Sequence, residues 1–215
     1  MIGRSRIVIA LATSLVAASC VGGTAPPASA PAPSAEPAGG PARAPAPYTR
    51  ADVAFMQGMI VHHAQALDMT ALVPARSGNA SLRILAERIE ATQEDEILRM
   101  SRWLAARGET VPDPHAYREH MAAGAGGAHG TRMPGMLSPE QMEQLAAGSG
   151  HAFDRMFLQF MIEHHIGALT MVEELQQAGG GLEAEIYRFA SDVDADQRAE
   201  IARMWDMLTV LPRGS

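Results

Sequence analysis

The chain has 215 residues and a formal net charge of −7, and it carries one cysteine beside eight histidines and fourteen methionines. A single cysteine excludes an intrachain disulfide and leaves no thiolate set for a Cys-based zinc site. The acidic balance argues against nucleic acid or an anionic membrane surface as the main partner.

The opening MIGRSRIVIALATSLVAASC places two arginines, an apolar run from Ile7 to Ala18 and then small residues in the order of a secretory signal peptide. Cys20 directly after LVAAS resembles a lipobox, so the exported chain is expected to be lipid-anchored at Cys20 in the periplasm or cell envelope, with its membrane contact made through that anchor. Loss of the leader with Arg4 and Arg6 takes the net charge from −7 to −9. Residues 21–47 hold eight of the fourteen prolines among Ala, Gly and Ser, a composition that cannot bury enough apolar surface to fold and reads as a disordered tether. In a polyproline-like form it would reach about 80 Å, at about 3.1 Å per residue.

The remainder, 48–215, is expected to form one compact domain. Apolar residues recur at helical spacing from Thr49 to about Val73 and from about Asn79 to Arg107, separated by PARSG and stopped by Gly108. A second pair runs from about His151 to Ala178 and from about Leu182 to Thr209, broken by GGG. The connection 109–150 is rich in Pro and Gly, then offers SPEQ at 138–141, where Ser138 as N-cap, Pro139 at the first position and Gln141 predict a capping box and a short helix to about Ala147.

The two hairpins are copies. Composition alone would supply about 0.3 His-His pairs in such a chain, yet MIVHHAQALDM (59–69) and MIEHHIGALTM (161–171) each contain one between methionines. Superposing the pairs aligns Asp52 with Asp154, Phe55 with Phe157, Met59 with Met161 and Met69 with Met171; with two residues of extra offset, Gln93 aligns with Gln197, Glu96 with Glu200 and Met100 with Met204. This is an internal duplication of a helical hairpin (repeat 1 about 49–108, repeat 2 about 151–209). Two amphipathic hairpins bury their apolar stripes best against each other, so the expected fold is an all-α, four-helix bundle.

At about 100° per residue, Met56, Met59, His62, His63, Ala66 and Met69 fall within an arc of roughly 140°, and so do Leu158, Met161, His164, His165, Ala168 and Met171. Both His-His pairs lie near mid-helix and would face each other at mid-bundle, where such folds build metal sites. Met59 precedes His62 by three residues and His63 by four, close enough for a thioether and an imidazole to share an ion. Met69, seven residues from His62 and roughly 10 Å along the axis, would serve a second ion or pack as core. The same choice applies to Met171. Four core imidazoles without a metal would each need a hydrogen-bond partner, which favours ligand roles for His62, His63, His164 and His165.

Thioether plus imidazole without thiolate selects copper, Met preferring Cu(I) and His accepting Cu(I) or Cu(II). Carboxylate-bridged di-iron bundles use Glu-x-x-His, which the sequence lacks. His120, Met121, His129, Met133 and Met136 lie on the connection, expected to be flexible and exposed, and read either as a second, weaker copper-collecting patch or as ordinary linker. Glu94, Asp95, Glu96, Asp192, Asp194, Asp196 and Glu200 read as a solvated helix face.

FMQGMIVHHAQALDM, with MPGMLSPEQMEQLAAGSGHAFDRMFLQFMIEHHIGALTM, resembles the ferritin-like domain-of-unknown-function 305 family over about residues 50–209. The resemblance implies a four-helix bundle that binds several copper ions through Met and His and supports copper tolerance in the cell envelope. By position, its motif histidines are His62, His63, His164 and His165, and its motif methionines are Met59, Met69, Met161 and Met171. Family members often carry proline before the pair, where this chain has Val61 and Glu163, so straighter helices are expected.

The sequence therefore predicts an exported copper-binding protein that sequesters, buffers or transfers copper, with a copper efflux or delivery protein as the class of partner and no catalysis of its own. A Ser-His-Asp motif and a phosphate-cradling glycine loop are both missing from the sequence. Two rival readings are a ferritin-like oxidase of Cu(I) or Fe(II), and a metal-independent module whose Met-rich face docks a partner helix.

Overall fold

The computed structural model describes residues 47–118 and 133–212; Cys20, the tether, His120, Met121 and His129 lie outside the described residues. The elements are α1 (Arg50–Thr70), the short α2 (Val73–Arg76), α3 (Ala80–Ala106), α4 (Pro139–Ala147), α5 (Gly150–Gln177) and α6 (Ala184–Val210). Among the described residues no helix is long and apolar enough to cross a membrane.

Local chemistry sets the boundaries. Thr49 and Asp52 form a reciprocal capping box at the start of α1, Asn79 accepts from the Ser81 and Leu82 N–H groups at the start of α3, and Ser138 with Gln141 caps α4 as its sequence predicts. Where PARSG reads as a plain turn, Pro74 sits in the first turn of α2, and the Ser77 N–H closes it on the Val73 carbonyl at 2.9 Å. Gly108, with φ 71°, ends the α3 hairpin arm in the left-handed region.

α1 packs along α3, α5 along α6, and the two hairpins meet through α1 and α5. The core forms two large apolar clusters. One joins the second half of α1 to the first half of α5 (Met69, Phe157, Met161) and reaches Leu85 of α3 and Met204 of α6. The other joins the first half of α1 to the second half of α5 (Met56, Met59, Met171) and reaches Met100 of α3 and Phe189 of α6. α1 and α5 are thus antiparallel, and the Gly181 N–H, at the end of the α5 hairpin arm, donates to Asp52 Oδ1 at 2.6 Å at the start of α1. The copies diverge here: the matching Asp154, 1% exposed, has no hydrogen bond on Oδ1 and stands 3.8 Å from His151 Nδ1.

The connection departs from the flexible, exposed segment expected for Met133 and Met136. Met136 is 6% exposed and Met133 is half-buried. The cause is a strap over 133–138, held by main-chain contact and a clamp. Gly135, with φ 73°, lies against Gly167, where a Cβ would overlap the Pro134 carbonyl. The Gln65 side chain takes both main-chain groups of Leu137, accepting its N–H at 2.7 Å and donating to its carbonyl at 3.1 Å. Gly167→Ala is therefore expected to cost about 1–3 kcal/mol in chemical denaturation, the usual penalty for overpacking. Gly78→Ala, with no heavy atom within 4 Å of the added carbon, should stay within about 0.5 kcal/mol.

Candidate metal centre

The two apolar clusters are separated by a polar layer at the middle of the bundle. His62, His63, His164 and His165 are each at most 1% exposed, so mid-helix burial follows the sequence expectation. The two members of each pair then turn different ways. His62 and His164 face each other across the α1/α5 contact, with ring centroids 3.9 Å apart and planes inclined by 36°. His63 and His165 turn toward the second helix of their own hairpins, where His63 Nε2–H donates to Glu96 Oε2 at 2.7 Å and His165 Nε2–H to Glu200 Oε2 at 2.6 Å.

This corrects the reading of Glu96 and Glu200 as solvated: they are 3% and 8% exposed, while Glu94, Asp95, Asp192 and Asp196 do face solvent. A buried imidazole opposite a carboxylate on the adjacent helix stabilises a charge that water would otherwise have to hold. The signal was present in the duplication, since Gln-x-x-Glu recurs at 93–96 and 197–200. Gln93 and Gln197 are buried with it, and Gln93 has no hydrogen bond on either amide atom. At the rim, the Asp196 carboxyl is pushed above its ordinary range by partial burial and then by the charges of Glu96 and Glu200.

The inner pair is anchored by main chain. His62 Nε2–H donates to the Pro134 carbonyl of the strap at 3.0 Å, and His164 Nε2–H to the His62 carbonyl at 3.1 Å. Burial, then the neighbouring His63, lowers the His62 pKa to about 3; burial and the other three histidines hold His164 well below the ordinary imidazole value. Both rings are neutral at physiological pH.

All four Nε2 atoms thus carry their proton toward an oxygen, and all four Nδ1 atoms are buried without a hydrogen-bond partner. Buried polar atoms are nearly always satisfied, so four orphans in one layer require a cause. An imidazole whose outer N–H is held by a carbonyl or carboxylate is the arrangement metal-binding histidines use, with the other nitrogen left to the ion. Thioethers flank the layer on both sides: Met56, Met59, Met171 and the half-buried Met133 in one cluster, Met69 and Met161 in the other, with Met136 beside Ala64 and Tyr117. Met133 and Met171 converge over Gly58, where a Cβ would lie 3.7 Å from Met133 Sδ and 3.2 Å from Met171 Cε. Among the described residues no three His, Cys, Asp or Glu side chains gather to hold a metal ion by themselves. The donor set therefore suits an ion that accepts one or two imidazoles and completes its shell with thioether sulfur.

Fold and layer together define a duplicated four-helix bundle with a buried His/carboxylate centre flanked by methionine. The chain belongs to the DUF305 family, described as a domain of unknown function, whose pattern matches residues 52–208. Among solved structures it is similar to a DUF305 fragment from Deinococcus radiodurans, with 30% identity, a TM-score of 0.63, and coverage of 76% of this chain and 99% of that one. It is also similar to CopM in its Cu(II)-bound form, at 28% identity and TM-score 0.58, covering 74% of this chain and 95% of that one. The Cu(I)-bound form of CopM gives 26% identity and TM-score 0.56 over the same 74% and 95%. No curated protein matches the chain.

Proposed function

We propose that this protein is an exported copper-binding protein that sequesters, buffers or transfers copper in the cell envelope without catalysis of its own. The observation that carries the reading is the set of four buried, unpartnered Nδ1 atoms on rings whose Nε2 atoms are already committed. His62, His63, His164 and His165 supply imidazole nitrogen; Met56, Met59, Met69, Met161 and Met171 supply thioether sulfur, the combination that favours copper in both oxidation states. The similarity to CopM, crystallised with Cu(I) and with Cu(II), supports the same choice of ion. The leader and the position of Cys20 support export and lipid anchoring.

The test is a titration of the full chain with Cu(I), with Cu(II) and Zn(II) in parallel, read by competition with a chromogenic chelator. More than one tightly held equivalent of copper is expected. Binding no greater than that of a nonspecific control would return the four histidines to packing and leave a helical interaction module. Sustained oxygen consumption on adding Cu(I) or Fe(II) would make the protein an oxidase instead.

A further inference from the structure

We propose that Glu96 and Glu200 are positioning residues that make His63 and His165 the donors for divalent cations, leaving His62 and His164 as the donors for monovalent ones. The inference rests on the metal-binding reading above and divides the labour within each His-His pair. The two members differ in what holds them. His63 and His165 each donate Nε2–H to a carboxylate, at 2.7 and 2.6 Å, whereas His62 and His164 donate to uncharged main-chain carbonyls at 3.0 and 3.1 Å. The carboxylates are buried at 3% and 8% exposure, so bulk water and salt screen them weakly, and Gln93 and Gln197, one turn before each on α3 and α6, are buried beside them. The arrangement occurs twice, once in each copy of the hairpin.

A carboxylate on the far nitrogen fixes the ring and raises the basicity of the near one, and its loss usually costs 10- to 100-fold in metal affinity. Its Coulombic share scales with the charge of the ion, so a divalent cation gains about twice the free energy that a monovalent one does. A carbonyl has no net charge to offer. Its histidine therefore discriminates less between ion charges, and with thioethers in the clusters on both sides of the layer it is left to the soft monovalent ion.

The experiment uses the full chain and two diamagnetic probes, Zn(II) and Ag(I). Glu96→Gln combined with Glu200→Gln keeps side-chain size and an oxygen acceptor while removing the charge. Zn(II) affinity is expected to fall by about 10- to 100-fold and Ag(I) affinity by about the square root of that factor, 3- to 10-fold, with the melting temperature of the metal-free protein little changed. An equal fall for both ions, or no fall for either, overturns the proposal. If the double variant does not fold, the unaltered chain decides: nitrogen-detected NMR with substoichiometric Zn(II) should perturb His63 and His165 first, and Ag(I) His62 and His164 first. The reverse order, or no order, overturns it. Failure of the unaltered chain to bind either probe would instead strike the metal-binding reading itself.

Discussion

Acidification from pH 7 to pH 4.5 is expected to destabilise the metal-free bundle by several kcal/mol, a large part of what a domain of this size has. His62 titrates near pH 3 in the folded chain and near 6.5 once unfolded. Between those values the unfolded state binds more protons, so stability is fully present above about pH 6.5 and falls as the pH drops toward 3. The slope is about 1.4 kcal/mol per pH unit, or about 3 kcal/mol by pH 4.5 from His62 alone. His164, lowered by burial and by the same neighbours, adds a loss of the same sign. Urea midpoints measured from pH 7.5 to 4.5 in the presence of a chelator check this. A flat profile, or one that His62→Gln leaves unchanged, would mean that the ring is not buried as a neutral base.

Replacing His62 and His164 together by alanine should lower the Cu(I) held per chain by about one equivalent while far-UV circular dichroism stays close to that of the parent. These rings face each other at 3.9 Å between the two hairpins, so one double change removes both imidazoles from the centre of the layer. The helices survive because their capping groups at Thr49, Asn79, Ser138 and Glu183 and both apolar clusters are untouched. Alanine is also the best helix former. Stoichiometry by elemental analysis after loading with Cu(I) is the measurement, and an unchanged Cu(I) content would place that ion elsewhere, with His63 and His165 the next candidates.

The fold was largely legible because helical periodicity and a repeated sequence are both local signals. α1, α3, α5 and α6 begin and end within a few residues of the limits read from apolar spacing, and Ser138 caps α4 as SPEQ announces. The centre was legible less evenly. A helical wheel puts two adjacent histidines on one face but cannot say which neighbour each will meet, so the split of His62 from His63 required the packing of the bundle. Glu96 was hidden in the acidic run ATQEDE, where three of four carboxyl-bearing or amide positions look equally solvated. Its recurrence as Glu200 was the available clue. The strap was illegible because its anchors are main-chain groups, Pro134 O and both polar atoms of Leu137, which the identity of a side chain does not encode.

In the alignment that matches the histidine pairs, Gln65 and Gly167 occupy the same position of the repeat. One grips the strap at Leu137 with its amide, and the other makes way for Pro134 and Gly135. Two identical hairpins assembled as separate chains would be bound by symmetry to present the same residue at both places, and a single unsymmetrical peptide could not be clasped on one side and admitted on the other. With both copies in one chain that constraint does not apply. Each half is free to meet a different stretch of the segment that joins them, so the linker is both the means of connection and part of the wall around the histidines.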